Sequence, residues 1–401
     1  MRINDSFGHQ RGDEVLKELA GRLQNTIGKN EGTMAGRISG AEFVVLVDQI
    51  HDAAGAMTYA SLLQGVLGNP IEATDPHITV STSFGIAMSD NGYSTPEAML
   101  EDATVALNQV KLSGKSQLAV FGVHMRERAR RRVELELDLR TAIEKEQFCL
   151  HYQPKVVLSS GELTGFEALV RWNHPERGMI SPAEFIPCAE ESGLIIEIGA
   201  WTLREALRQL MEWRNAGLIS NLVSMAVNIS TKQFEKKDIL TIVQHCLSEI
   251  HFPPDSLTLE VTESALIGNI SHAKDTLTAL SDLGIHIDMD DFGTGYSSLS
   301  YLHTLPFHSL KIDQSFIRNL EISHESRTIA QSIIHLGHSL NMAVIAEGIE
   351  TEAQRDLLAS FGCLFGQGYF YARPQTNEEV IAVLQQALAL PREGVRFPLK
   401  P

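Results

Sequence analysis

Basic residues are scarce in this chain of 401 residues. It contains 33 Lys and Arg against 50 Asp and Glu, which gives a formal net charge of -17. Binding to DNA or RNA polymers through phosphate neutralisation needs a basic face, so this composition argues against that class of partner. A smaller phosphate-bearing ligand would have to be held by local cations, and metal ions are the obvious candidates.

Clustered cysteines and long apolar runs are also lacking. The four cysteines form neither a C-x-x-C pair nor a close group; they are Cys149, Cys188, Cys246 and Cys363. Their spacing predicts small buried thiols in a reducing cytosol. No apolar run approaches membrane-spanning length, and a polar stretch instead of a signal peptide follows Met1. We therefore expect a soluble, cytoplasmic chain, which could still be one piece of a longer membrane-anchored parent.

The length, with 43% hydrophobic residues, predicts two or three domains that each bury a core. Residues 1–121 alternate between predicted helices at 11–27, 53–67 and 95–111 and predicted strands at 41–48 and 78–88. A highly charged helix follows, and its charges are expected to form a solvated face. The predicted division is a first domain at 1–121, a linker helix at 122–145, a second domain at 146–390 and a tail at 391–401.

The second domain alternates regularly between short strands and helices. Strands are predicted at 149–152, 163–170, 225–229, 257–262, 285–290, 309–313 and 342–347. This repetition predicts a parallel sheet, either open or closed into a barrel. Polar residues late in successive strands favour the barrel, because a barrel brings the carboxyl ends of its strands around one mouth. These residues are Glu167, Asn228, Glu260, Asp290, Lys311 and Glu347.

The adjacent pair Asp290 and Asp291 points to a cation. Neighbouring carboxylates resist joint ionisation unless a cation lies between them. Side chains alternate along a strand, so we expect the pair to lie where a strand gives way to a loop. Taken alone, the pair is equally well explained as a helix cap followed by an ordinary turn.

The full set of donors indicates which cation. The set has five carboxylates and one amide: Glu167, Glu260, Asp290, Asp291 and Glu347, with Asn228. These are hard oxygen ligands that suit Mg²⁺ or Mn²⁺, and the absence of histidine and cysteine from the set argues against zinc. Two such ions about 3.5–4 Å apart are the usual arrangement for phosphodiester hydrolysis. Lys311 and Arg171 could hold phosphate oxygens or orient an attacking water. In isolation, each is better explained as a strand-end residue reaching solvent or as a surface ion pair.

A series of motifs then resembles one family. Y-Q-P-K at 152–155 and G-F-E-A-L-V-R-W at 165–172 are similar to the opening of the EAL phosphodiesterase domain. The others follow in order: V-N-I-S from Val227, L-T-L-E-V-T-E-S from Leu257, D-D-F-G-T-G-Y-S-S-L from Asp290, L-K-I-D from Leu310, A-E-G-I-E from Ala346 and Q-G-Y from Gln367. The resemblance covers roughly residues 134–386. It implies a modified (β/α)₈ TIM-like barrel that hydrolyses cyclic di-GMP to linear pGpG.

The resemblance also implies a role for each matching residue. One metal ion would be bound by Glu167, Asn228, Glu260 and Asp290, and a second by Asp290, Asp291 and Glu347. The catalytic set would be Lys311, which orients the nucleophilic water, with Glu347 and Glu263, the last of which anchors the Asp290 loop instead of performing chemistry. Substrate would contact Gln153, Leu169, Arg171 and Gln367. The family pairs through this domain, which predicts a homodimer, with the helix at 126–144 either transmitting changes or acting as a passive spacer. A receptor that binds cyclic di-GMP with little turnover is the alternative.

Three motifs precede the barrel domain: I-N-D-S-F-G-H-Q-R-G-D at 3–13, R-I-S-G-A-E-F at 37–43 and V-K-L-S-G-K at 110–115. They resemble a diguanylate cyclase, or GGDEF, domain over residues 3–121, with departures that imply lost activity. Ala41 stands in the signature S-G-A-E-F where the family has a metal-binding acidic residue. The family's first strand would lie before Met1, and its inhibitory site would need Arg and Asp where Asn30 and Thr33 stand. An active cyclase is therefore not expected. Asn4 and Asp5 match the guanine-contacting pair, so weak GTP binding is the alternative to a scaffold without nucleotide. An upstream sensor would lie outside this chain.

Overall fold

The computed structural model describes residues 8–28, 32–71, 78–112, 117–236, 238–266, 270–293, 302–389 and 395–397. The chain divides into two compact units, Met1–Glu134 and Leu135–Pro401. The boundary lies inside a single helix, Val123–Glu144. The four-part division expected from the sequence, with a separate linker at 122–145, stays a prediction.

The first unit combines helices with two small sheets. Its elements are α1 (His9–Ile27), β1 (Thr33–Ser39), β2 (Glu42–Val47), α2 (Ala53–Leu67), β3 (Phe84–Ile86), α3 (Pro96–Leu112), β4 (Leu118–Val120) and α4 (Val123–Glu144), which continues into the second unit. β1 and β2 form an antiparallel hairpin, whereas β3 and β4 pair in parallel. The apolar face of α1, including Val15, Leu19 and Leu23, packs against Leu63 and Leu67 of α2.

The three helices predicted in this unit are present, but the strands differ from expectation. The strand predicted at 78–88 is wrong in length, since only Phe84–Ile86 is a strand. Its partner β4 offers only three residues, so the ladder ends with them. β1 was not predicted, because T-M-A-G-R-I-S contains a glycine and an arginine and shows no clean apolar alternation.

The second unit is a closed barrel of eight strands, as expected from the resemblance. The strands are β5 (Phe148–Val157), β6 (Leu163–His174), β8 (Ser224–Ile229), β9 (Leu257–Thr262), β10 (His286–Phe292), β11 (Ser309–Ile312), β12 (Ala343–Ala346) and β13 (Phe365–Gly366). The order around the ring is β5-β6-β8-β9-β10-β11-β12-β13, and β13 pairs with β5 to close it. A short strand, β7 (Gly178–Ile180), extends β6 outside the ring.

Helices follow the strands around the barrel. They are α5 (Pro182–Ser192), α6 (Ile195–Asn215), α7 (Thr231–Glu235), α8 (Ile239–Ile250), α9 (Ile270–Asp282), α10 (Gln314–Arg318), α11 (His324–Ser339), α12 (Glu352–Ser360) and α13 (Asn377–Leu388). Capping boxes at Ser230, Thr351 and Thr376 begin α7, α12 and α13, because each hydroxyl accepts a hydrogen bond from the backbone N–H three residues later. Cys188, Cys246 and Cys363 are buried as predicted, and Cys149 is half-buried. None of the helices described here is both long enough and apolar enough to cross a membrane.

One strand runs against the others. β5 is antiparallel to both of its neighbours, β6 and β13, whereas the remaining pairs of the ring are parallel. The expectation of a wholly parallel sheet is therefore wrong for this strand. The five residues between β5 and β6 are too few for a parallel crossover, so a hairpin is the only available connection.

The ring closes at β13, which is only two residues long, and this seam should be sensitive to packing. A Cβ atom on Gly366 would lie 2.6 Å from side-chain atoms of both Ile349 and Leu158, which are buried. We expect Gly366→Val to lower the free energy of unfolding of the barrel by about 1–3 kcal/mol through overpacking. All three tryptophans, Trp172, Trp201 and Trp213, lie in the barrel unit, so urea unfolding followed by tryptophan fluorescence measures it.

The matched control is Leu364→Ala, two residues away, because the Leu364 side chain is exposed. Its free energy of unfolding should stay within about 0.5 kcal/mol of that of the parent. Equal midpoints for Gly366→Val and the parent would show that the closing strand tolerates a larger residue.

Candidate metal centre

The six predicted oxygen donors converge on one end of the barrel. β8 and β9 align so that Asn228 lies opposite Glu260, and Asp290 lies one strand further on. Glu167 falls late within the part of β6 that pairs with β8, although β6 itself continues to His174 to reach β7. Glu347 directly follows β12. Parallel register around a closed ring therefore brings together residues that are far apart in sequence.

Lys311 lies at the centre of these carboxylates. Its Nζ is 2.6 Å from Glu347 Oε1, 2.7 Å from Glu260 Oε2, 3.1 Å from Asp290 Oδ1 and 3.6 Å from Glu167 Oε2. Burial disfavours the ammonium form, but the four surrounding carboxylates outweigh it and raise the pKa of Lys311 well above its ordinary value. Among these carboxylates the side chain therefore carries a positive charge.

One ammonium does not neutralise this many carboxylates. Burial, opposed by Lys311 but reinforced by Asp290 and Glu167, raises the pKa of Glu347 to about 8. Burial and the charge of Glu167 also raise the pKa of Glu260 well above its ordinary value. The site thus holds more negative charge than its own cations balance, and its donors are oxygen atoms, which fits a divalent cation of the Mg²⁺ or Mn²⁺ type.

Glu167 is the exception, because its ionised form is well supported. Asn228 Nδ2 donates a hydrogen bond of 2.6 Å to Glu167 Oε1, and Gln367 Nε2 donates one of 2.6 Å to Oε2. Burial raises its pKa, but the charge of Lys311 and these two hydrogen bonds prevail and lower it to about 2. Gln367 Nε2 also lies 3.0 Å from Glu347 Oε1, so this amide joins the two carboxylates.

A β-bulge brings Asp290 and Asp291 to the same site. Asp291 has φ 54°, in the left-handed region that non-glycine residues seldom adopt, and the register between β10 and β11 shifts between Met289 and Phe292. One oxygen from each of Asp290, Asp291 and Glu347 lies within 4.8 Å of the others. The pair was expected where the strand gives way to a loop, and it lies within the last three residues of β10, which ends at Phe292; the bulge turns the second carboxylate towards the site. Partial burial and the charge of Asp290 raise the pKa of Asp291 to about 6.

The predicted substrate residues lie around the same mouth. Gln153 on β5 pairs with Glu167 on β6, and Leu169 and Arg171 follow Glu167 along the same face of β6 towards its carboxyl end. Arg171 is partly buried, and its guanidinium donates a hydrogen bond to the Val170 carbonyl. The structure therefore brings all four predicted substrate residues, including Gln367, to the end of the barrel that holds the carboxylates.

For three of the predicted site residues, Glu263, Asn4 and Asp5, the structure does not test the predicted role. Glu263 is buried in the 3-10 turn Glu263–Leu266 that follows β9. The loop that it was predicted to anchor continues through 294–301, which lie outside the described residues, so the anchoring role stays a prediction. Asn4 and Asp5 also lie outside the described residues. Ala41 is in the turn of the β1–β2 hairpin beside Gly40, and its methyl group offers no ligand atom.

Two charged residues beneath the mouth were not predicted. Lys155 Nζ lies 3.7 Å from Glu260 Oε1 and 4.0 Å from Asp288 Oδ2, and all three side chains are buried. The alternation of side chains along the two strands could have indicated both residues. Lys155 shares the face of Gln153 on β5, and Asp288 shares the face of Asp290 on β10, since side chains two residues apart on a strand point the same way.

The raised pKa of Glu347 makes barrel stability depend on pH when divalent cations are removed. The folded protein keeps a proton that the unfolded chain releases, so the free energy of unfolding should fall as pH rises from about 4.5 to about 8. Glu347→Gln should reduce this dependence and leave the part due to Glu260 and Asp291, whose pKa values are also raised. Glu350→Gln, at a nearby exposed position, should leave it unchanged. The measurement is the urea midpoint in chelator across that pH range. The same slope in Glu347→Gln as in the parent would contradict the assignment.

The chain was then compared with known proteins. Residues 136–374 match the model of the EAL domain, and residues 1–117 match that of the diguanylate cyclase, GGDEF domain. The chain is 38% identical over 380 residues to the bifunctional diguanylate cyclase/cyclic di-GMP phosphodiesterase MucR of Pseudomonas aeruginosa, covering 95% of this chain and 55% of the relative. It is 36% identical over 373 residues to the cyclic di-GMP phosphodiesterase PdeR of Escherichia coli, covering 93% of this chain and 55% of the relative. The chain thus spans about half the length of these curated relatives.

Solved structures agree with this assignment. The structure described as "PaMucR Phosphodiesterase, c-di-GMP complex" has a TM-score of 0.60 and 43% identity, and the match covers 62% of this chain and 99% of that one. The EAL domain of Mycobacterium smegmatis DcpA has a TM-score of 0.51 and 30% identity, over 62% of this chain and 97% of that one. With more than half of its residues matched by the family model, the chain belongs to the EAL domain family.

Proposed function

We propose that the barrel hydrolyses cyclic di-GMP to linear pGpG in bacterial second-messenger signalling. The observation that carries the proposal is the convergence of four carboxylates on the buried ammonium of Lys311, at the mouth of a barrel whose relatives are named cyclic di-GMP phosphodiesterases. The similar MucR structure is a complex with cyclic di-GMP, which supports the same substrate here.

The donor set suits two Mg²⁺ or Mn²⁺ ions. Glu167, Asn228, Glu260 and Asp290 would hold one, and Asp290, Asp291 and Glu347 the other. When bound, such a pair supplies positive charge to the phosphate and makes a bound water more acidic. The trio of Asp290, Asp291 and Glu347 supports this division, because its oxygens lie within 4.8 Å of one another.

The remaining residues bind substrate and the attacking water. Water adds its oxygen to phosphorus, and the bond from phosphorus to the 3′ oxygen breaks. One proton of the water ends on that oxygen, which leaves as a 3′ hydroxyl, the other is released to solvent, and one ring phosphate becomes a 5′-terminal phosphate. Lys311 would orient the water and stabilise negative charge beside the reacting phosphate. Arg171 would hold the phosphate that does not react, and Gln153, Leu169 and Gln367 would contact the rest of the ligand.

A receptor that binds cyclic di-GMP with little turnover is the competing function. Such a protein needs the substrate residues but not the complete set of donors, so the presence of all six favours hydrolysis. Glu263 and pairing through the barrel would regulate it, and the homodimer stays a prediction. We assign the first unit a scaffolding or regulatory role, because Ala41 lacks a metal ligand; weak GTP binding is its alternative.

Hydrolysis should require Mg²⁺ or Mn²⁺. Purified protein should convert cyclic di-GMP to pGpG with either ion, stop in excess chelator and recover when Mn²⁺ is restored. Ca²⁺ should inhibit, because its longer and looser coordination does not hold two ions closely enough. Chromatography of the products measures this. Asp290→Ala should abolish turnover and Asp282→Ala, at the end of α9, should not. Full activity in chelator would exclude the two-ion proposal.

Arg171→Ala should weaken substrate binding more than it slows the reaction. Loss of a charged hydrogen bond to phosphate costs roughly 1.5–3 kcal/mol, which corresponds to about tenfold or more in KM, with kcat nearly unchanged. Arg177→Ala is the control, because Arg177 lies in the β6–β7 turn and pairs with Glu184 at the surface. Calorimetry with Ca²⁺ in place of the active ion measures affinity without turnover. Unchanged affinity in Arg171→Ala would remove its assigned role.

A further inference from the structure

A second charged layer lies below the proposed metal ligands. Asp288 pairs directly with Glu260 across β10 and β9, and Lys155 pairs with Gly165 across β5 and β6. Lys155 is 5% exposed and Asp288 is 2% exposed, so both charges are inside the barrel. Ionisable groups are seldom buried to this extent unless each faces a partner.

Glu260 lies between two ammonium groups. Its Oε2 accepts a hydrogen bond of 2.7 Å from Lys311 in the upper layer, and its Oε1 faces Lys155 in the lower layer at 3.7 Å. Within the described part of the chain, Oε1 has no hydrogen-bond partner, so Lys155 is the charge that acts on it. The two lysines therefore act on different oxygens of the same carboxylate.

The barrel makes room for Lys155 at this depth. A Cβ atom at position 165 would lie 3.4 Å from Lys155 Cε and 2.6 Å from Ser224 Oγ. Glycine at 165 thus leaves the space through which the lysine stem passes towards Glu260. Asp288 Oδ2, 4.0 Å from Lys155 Nζ, offsets the charge of the lysine.

We propose that Lys155 is a positioning residue that fixes the orientation of Glu260 for the divalent cation. The inference rests on the proposed function, in which Glu260 is a ligand. A hydrogen bond to Oε2 and the attraction of a second ammonium for Oε1 together favour one orientation of the carboxylate. Removal of residues that orient metal ligands commonly changes metal affinity by 10–100-fold. The plainer explanation is that Lys155 only neutralises Asp288 in the barrel floor.

A charge-balanced pair of substitutions separates these explanations. Lys155→Met/Asp288→Asn removes one positive and one negative charge, so the net charge of the site is unchanged. If Lys155 positions Glu260, the double variant should bind Mn²⁺ about tenfold more weakly by calorimetry. Its kcat for cyclic di-GMP should fall by a similar factor, with KM within about twofold. Asp288→Asn alone keeps Lys155 against Glu260 and should bind Mn²⁺ within about threefold of the parent.

Folding of each variant is checked by tryptophan fluorescence in urea. Lys155→Gln/Asp288→Asn is a second, milder double variant, and it should also bind Mn²⁺ more weakly than the parent. Mn²⁺ affinity equal to the parent in the folded double variants would overturn the proposal and leave Lys155 as a charge balance. If Asp288→Asn alone weakened Mn²⁺ binding as much as the double variants do, the proposal would also be overturned, because the effect would then belong to Asp288. Calorimetry needs no turnover, so failure of the parent to hydrolyse cyclic di-GMP would refute the proposed function separately.

Discussion

Repulsion between carboxylates at one end of the barrel is the interaction on which the site depends. Four of them surround the Nζ of Lys311 within 4.0 Å, at a depth where water does little to screen them. Such a cluster is costly in the absence of cations, so the surrounding structure has to hold it in place. The amides of Asn228 and Gln367 do so at Glu167, and two lysines do so at Glu260.

The fold meets this requirement through strand register. Parallel pairing sets Glu260 opposite Asn228 on one neighbouring strand and opposite Asp288 on the other, and the bulge at Asp291 adds a donor that regular alternation would have turned away. The strained backbone of Asp291 is thus part of the site's construction, consistent with the tendency of such conformations to occur at functional positions. Rigid strands, not loops, carry most of the predicted ligands.

The sequence was sufficient to predict the barrel and the residues that converge at its mouth. Asn228 and Glu260, for example, lie late in apolar strand-like runs, and the alternation of such runs with helices indicates a barrel. It was not sufficient for features that depend on distant partners. The direction of β5 depends on the hairpin that joins it to β6, and the bulge at Asp291 depends on pairing with β11. A two-residue strand such as Phe365–Gly366 has no periodicity to detect. Lys155 was overlooked because its importance depends on the depth of Glu260.

The two-residue strand that closes the ring has a consequence for motion. Local opening is easiest where backbone hydrogen bonds are fewest, which in a cylinder of otherwise longer strands is this seam. Gln367 follows it directly, held by backbone hydrogen bonds to Ala346 and from Ile349, and its side chain joins Glu167 to Glu347. Opening of the cylinder at this seam would therefore displace the amide that joins two of the acidic groups, which links the shortest strand of the wall to the most charged part of the interior.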